Sequence, residues 1–191
     1  MADRLVLASS SPRRALILSA LAVSFRVVPP EADETLLPEE EAGAAAERLA
    51  RLKAGSVAAS EPPPILAADT LVVCGRRILG KPASTEEARE MLRLLSGRTH
   101  EVVTGLCVIG RGATRSGVER TSVTFASMSE GDIDWYVATG EPMDKAGAYH
   151  VDGRGALFVA RVDGSPSNVA GLPVRLFLRL AREAGLDLGL P

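Results

Sequence analysis

Between Ile65 and Val73 one carboxylate, Asp69, interrupts a run that is otherwise apolar apart from Thr70. The seven apolar positions, Ile65 to Ala68 and Leu71 to Val73, read as a buried strand extending to Cys74, broken at Asp69-Thr70. A charge on a buried strand is costly unless it is paired or bound to metal. Asp69 is therefore the leading candidate for a catalytic carboxylate, as a magnesium ligand, an activator of water, or both. The competing reading is a strand-end aspartate that satisfies a turn. A buried strand needs a core, and a chain of 191 residues can bury one without staples.

The other elements follow from periodicity and caps. Leu5 to Ala8 reads as a short buried strand ending in Ser9-Ser10-Ser11-Pro12-Arg13-Arg14, where a serine N-cap and a proline start a helix to about Leu21. Ser24 to Val28 alternates as a second strand, and Pro29 to Pro38 is a loop carrying Glu31, Asp33 and Glu34. Glu39 to about Ala59 reads as an Ala-rich helix with acids in its first turn. A turn at Gly75 leads to a short strand, Arg77 to Leu79; Ser84 and Glu87 then form a capping box for a helix to Leu95. Thr99 to Ile109 and Val118 to Ala126 read as a long hairpin, and Ser129 with Asp132 caps a helix from Ile133 to about Thr139. Ala156 to Val162 is a strand and Pro173 to Ala184 an amphipathic helix. No repeat or long linker appears. The class is α/β or α+β with a mixed sheet, in one domain spanning 1–191.

Composition excludes several functions. The net charge is −2, so no global basic field holds duplex nucleic acid, and 4 % aromatics argue against a base-stacking platform for single strands. An anionic ligand must be held by a local cluster of Lys and Arg. Cys74 and Cys107 sit in apolar runs and read as buried strand residues; without CxxC or HExxH motifs a zinc site is not expected. Arg13-Arg14 before ALILSALAV resembles a signal peptide, but the apolar Leu5 to Ala8 occupies the place of a polar leader. No run is long enough to span a membrane, so the expected compartment is the cytoplasm.

Among phosphate-binding patterns, Gly75 to Lys81 has P-loop spacing, but Pro82 stands where Ser or Thr is required; Lys81 remains as a phosphate ligand candidate. Ser165 and Ser167 lie outside any GxSxG elbow, and neither His100 nor His150 has a triad context. The serine-rich helix start favours an anion, and its two arginines add bidentate donors; the plainer reading is a capped helix with solvated arginines. Glu34, Lys53 and Lys81 each read alone as solvated charges. Together with Arg13 and Arg14 they could build a positive pocket with a carboxylate pair, Glu34 and Asp69, for a metal, which is the composition a triphosphate site needs.

These residues carry a resemblance. LASSSPRR at 7–14, Asp33-Glu34, RLKA around Lys53, AADT at 67–70 and GKP at 80–82 are similar to the motifs of the Maf family of nucleoside triphosphate pyrophosphatases. LSGRTHEVVTG at 95–105, DKAGAY at 144–149 and NVAGLP at 168–173 continue the match in order. The resemblance implies an elongated mixed sheet flanked by helices, with two lobes around a deep cleft, similar to inosine triphosphate pyrophosphatases. It implies hydrolysis of a nucleoside triphosphate to its monophosphate and pyrophosphate with a divalent cation, Mg2+ or Mn2+. Asp69 would then be the proton acceptor and, with Glu34, the metal site; Arg13, Arg14, Lys53 and Lys81 would hold phosphates, with Ser9 at the phosphate end. The partner is a small nucleotide, with no nucleic acid polymer and no membrane, and a homodimer is compatible with the reading.

Substrate choice rests on three positions. The dTTP/UTP branch of the family usually carries Arg, Thr and Gln, and the 7-methyl-GTP branch Trp, Gln and Glu; this chain has Arg13, Thr70 and Asp152. Two of three favour dTTP and UTP. An ionised carboxylate only accepts hydrogen bonds, so Asp152 suits a base N–H and opposes a base carbonyl. The alternatives are a 7-methyl-GTP-type or broad-specificity enzyme, and a nucleotide-binding regulator of cell division.

Overall fold

The first strand, β1 (Leu5–Ala8), is buried at all four positions, which requires cover on both faces. In the computed structural model, which describes residues 4–189, it is followed by α1 (Pro12–Ala20), β2 (Phe25–Val28), α2 (Ala42–Ala58), β3 (Ile65–Cys74) and β4 (Arg77–Leu79). Then come α3 (Thr85–Leu95), β5 (Thr99–Ile109), β6 (Thr114–Phe125), α4 (Glu130–Ala138), β7 (Val159–Asp163), α5 (Pro166–Val169) and α6 (Val174–Glu183). The strands form one seven-stranded sheet in the order β2-β1-β3-β5-β6-β7, with β4 paired to β3. The β1 pairs with β2 and β3 are parallel, and β3–β4 and β6–β7 are antiparallel, so the sheet is mixed as expected.

The chain divides into two compact units. One holds the residues up to Asp69, Thr104–Glu119 and the segment from Gly171; the other holds Thr70–Val103 and Arg120–Ala170. The expectation of one domain covers 1–191, of which residues 1–3 and 190–191 lie outside the described ones. In the first unit the two-residue period of the strands sorts the core. Leu5 and Leu7 of β1 and Leu66 and Ala68 of β3 pack with Leu176, Phe177 and Leu180 of α6. Val6 and Ala8, with Ile65 and Ala67, pack with Ala50, Ala54 and Val57 of α2. Helices thus cover both faces of this parallel segment, the arrangement that continuous apolar strands require.

Several boundaries differ from the sequence reading. β3 runs unbroken through Asp69 and Thr70 rather than being interrupted there. The acids expected in the first turn of α2 precede it: Glu41 is the N-cap, and its carboxylate accepts from the N–H groups of Gly43 and Ala44. β6 begins at Thr114, earlier than Val118, and β7 begins only at Val159 because Arg154–Phe158 forms a 3₁₀ helix. The short α5, capped by Ser165 after Pro166 is placed at its start, was not legible as an apolar pattern. No helix among the described residues is long and apolar enough to cross a membrane.

The core of the second unit carries an aromatic group: His100, Phe125 and Tyr149 meet edge to face with centroids 4.8–5.4 Å apart. His100 Nε2 lies 2.9 Å from the Tyr149 hydroxyl. Burial pushes the imidazole down to about 4. The unfolded chain therefore takes up a proton near pH 6.5 that the folded chain refuses until about pH 4. This stabilising difference is complete above pH 6.5 and is lost as pH falls towards 4, by about 3 kcal/mol. Melting curves between pH 7.5 and 4.5 should show His100→Gln less stable at neutral pH but with a flatter acid-side decline than the native chain. Parallel declines would contradict the assignment.

Candidate active site

Three charged side chains are buried among the described residues: Arg14 at 9 % exposure and Lys53 and Asp69 at 6 % each. All three belong to the first unit. Their meeting follows from the two periodicities of helix and strand. Lys53 lies on the inward stripe of α2 with Ala46, Ala50, Ala54 and Val57, a row of mostly small residues. That row brings the helix backbone so near β5 that a Cβ at Gly105 would lie 2.2 Å from the Ala46 carbonyl oxygen. Asp69 shares the parity of Ile65 and Ala67, the strand positions that pack on α2. Lys53 Nζ accordingly donates to Asp69 Oδ1 at 2.6 Å and to Glu34 Oε2 at 2.7 Å.

The Asp69 carboxylate is therefore paired, not isolated as its apolar neighbours suggest. Glu34, by contrast, is reached from solvent, with its side chain 57 % exposed. Its loop is held locally: Asp33 accepts from the Thr35 amide and hydroxyl, and Arg48 of α2 donates to Glu40 at 2.6 and 2.8 Å and to the Thr35 carbonyl. Arg48 thus straps the acidic loop to the helix, a role that no sequence spacing indicates.

At the start of α1, Ser11 occupies the N-cap position but its side chain makes no cap bond. The hydroxyl of buried Ser9 instead accepts from the Ser11 N–H and from Arg14 Nη1, both at 3.1 Å. Arg14 Nε donates to the Gly171 carbonyl at 2.9 Å, fixing the guanidinium against the NVAGLP segment. Burial lowers the Arg14 guanidinium to about 10; Asp69 and Glu34 oppose that shift and the neighbouring Arg13 charge adds to it. Arg14 is therefore charged at neutral pH, and the fields of Arg13, Arg14, Glu34 and Asp69 are felt together.

The structure thus gathers Ser9, Arg14, Glu34, Lys53 and Asp69, with Arg13 adjoining. Thr70 follows Asp69 on β3 as the first residue of the second unit, which also holds Lys81, exposed after β4, and Asp152, exposed in the 150–153 turn. A hollow of about 770 Å³ between the acidic loop and the outer face of α2 is lined by Asp33, Arg48, Arg51 and Leu52 among others. None of the buried charges lines it. Among the described residues no group of three or more His, Cys, Asp or Glu side chains could hold a metal.

A mixed sheet with helices on both faces, enclosing a carboxylate between a lysine and an arginine, defines an α/β protein with an internal charged site beside a helix start. The chain belongs to the Maf-like protein family, whose sequence model matches residues 4–184. It is 50 % identical over 193 residues to a protein of Anaeromyxobacter dehalogenans (strain 2CP-C) named dTTP/UTP pyrophosphatase, covering 98 % of this chain and 97 % of that one. A Bacillus cereus (strain B4264) protein of the same name is 42 % identical over 186 residues, covering 97 % of each. The fold is similar to that of the Staphylococcus aureus Ham1 protein, with a TM-score of 0.52 and 16 % identity over 96 % of this chain and 99 % of that one.

Removing one member of a buried ion pair strands the other charge, at about 3–5 kcal/mol. Lys53→Met should lose stability on that scale in urea unfolding, and adding Asp69→Asn should recover part of it. Strict additivity of the two substitutions would contradict the coupling.

Proposed function

We propose that this chain is a nucleoside triphosphate pyrophosphatase that hydrolyses dTTP and UTP to the monophosphate and pyrophosphate. The observation that carries the reading is the buried Lys53–Asp69 pair beside Arg14. Charges are costly to bury, and here a carboxylate is fixed where cations would draw in a polyphosphate. The names and near-complete coverage of the relatives supply the substrate class.

Each residue takes a role from its chemistry. Arg13 and Arg14, with the N–H groups at the start of α1, hold phosphate oxygens, and Ser9 orients Arg14 through its hydroxyl. Asp69 Oδ1 is oriented by Lys53, and no hydrogen bond occupies Oδ2 among the described residues. That oxygen accepts the proton of the attacking water. The water oxygen forms a bond to the α-phosphorus as the α–β bridging bond breaks, and pyrophosphate leaves with that electron pair. Lys53 shifts between the carboxylates and the incoming phosphates.

The donor set suits a divalent cation. Glu34 Oε2 and Asp69 Oδ1 converge on one ammonium nitrogen, and two carboxylates with substrate phosphates and water are how Mg2+ is commonly held. Glu34 and Asp69 would hold Mg2+ or Mn2+, which would neutralise phosphate charge. The expected setting is the cytoplasm, where the free nucleotides are.

Two outcomes test this reading. With Mg2+ or Mn2+ and a panel of dTTP, UTP, CTP, GTP and 7-methyl-GTP, pyrophosphate release should favour dTTP and UTP. Asp69→Asn should lower that rate by at least about 10²-fold without unfolding the chain; near-native turnover would refute Asp69 as the proton acceptor. Asp152, read as a base contact, accepts but cannot donate. Asp152→Gln should raise the kcat/KM preference for dTTP and UTP by roughly ten- to a hundredfold, and unchanged ratios would remove Asp152 from the base site.

A further inference from the structure

The turn that carries Asp152 is closed by a backbone hydrogen bond from the Gly153 N–H to the His150 carbonyl at 3.2 Å and runs into the 3₁₀ helix Arg154–Phe158. Its flanks are held by two side chains from earlier in the second unit. The Glu141 carboxylate accepts from the Gly155 N–H at 3.0 Å and the Tyr136 hydroxyl at 2.8 Å through Oε1, and from the Arg154 N–H at 3.1 Å through Oε2. The Tyr136 hydroxyl in turn accepts from the His150 N–H at 3.0 Å. Two linked groups thus hold the backbone two residues before Asp152 and two and three residues after it.

The packing is tight enough to fix the turn. A Cβ at Gly153 would lie 2.6 Å from Glu141 Oε2, and one at Gly155 would lie 2.6 Å from the Tyr136 hydroxyl. Tyr136 is fully buried, with its ring tilted against Phe158 at 5.5 Å, so the hydroxyl has little freedom. Burial alone would raise the Glu141 carboxyl, but the Tyr136 hydroxyl and the Arg154 and Gly155 N–H groups outweigh it and hold the group below its usual range. The ionised form is the one that can accept all three bonds.

We infer that Glu141, acting through Tyr136, is a positioning residue that sets base selectivity by holding the 150–155 turn and, with it, the carboxylate of Asp152. The inference rests on the reading of Asp152 as a base contact. Glu141 itself need not touch substrate. A side chain that reads a base edge must be placed within a fraction of an ångström, and the turn supplies that placement only while its flanks are held.

The test uses the full chain and three variants, Asp152→Gln, Glu141→Gln and Tyr136→Phe, with the last two also combined with the first. Glutamine at 141 keeps one acceptor oxygen but sets an amide N–H2 against a backbone donor. Phenylalanine at 136 keeps the ring and removes only the hydroxyl. The readouts are kcat and KM for dTTP, UTP and GTP, and hydrogen exchange at the amides of His150, Arg154 and Gly155.

Glu141→Gln and Tyr136→Phe should each cancel roughly three- to tenfold of the preference gained by Asp152→Gln, mainly through KM, and speed exchange at those amides. Retained kcat shows that the variants are folded; a merely structural defect would weaken all substrates alike. If Asp152→Gln gains selectivity and the combined variants keep all of it, the positioning role is overturned while the base contact stands. If Asp152→Gln changes no ratio but Glu141→Gln alone does, Asp152 is not the reader, and Glu141 still positions the turn for another group. If neither changes any ratio, both readings fall.

Discussion

A lysine on the inward face of α2 and an aspartate in the middle of β3 sit 2.6 Å apart, both nearly out of solvent. Much of the first unit can be understood as what that pair requires. The helix must come close, which the alanines of α2 and the absent side chain of Gly105 permit. The strand must present the carboxylate towards the helix, which its alternation does. A second carboxylate, Glu34, and a buried guanidinium, Arg14, complete the local field. Replacing such a pair with apolar residues often stabilises a protein, so keeping it argues for chemistry over stability.

The two units carry different parts of this argument. The first supplies cations and carboxylates on rigid elements, where orientation is set by packing. In the second, Asp152 lies on a turn whose flanks bond to Glu141 and Tyr136. Fixed elements hold buried charges in one geometry; a turn can vary in sequence without disturbing the core.

Much of this was legible in the sequence, because periodicity and charge placement report burial. Asp69 could be singled out since few positions in the chain surround a carboxylate with so many apolar residues. The strand at Leu5, the helix after Pro12 and the Ser129 cap were equally plain. What could not be read were long-range partners. Lys53 looks like one more charge on a helix until the stripe of α2 is placed against β3. Arg48 and Glu141 bond to groups fixed by tertiary structure, and no local pattern marks them. The start of α2 was misplaced because Glu41 caps the helix from outside, where acids in the first turn would have looked the same.

The central claim is that the site cuts a triphosphate between its α- and β-phosphorus atoms. Product analysis by phosphorus NMR after turnover of dTTP addresses it without any variant. The account predicts dTMP and pyrophosphate in equal amounts from the first turnover. Thymidine diphosphate with inorganic phosphate as the primary products would contradict it.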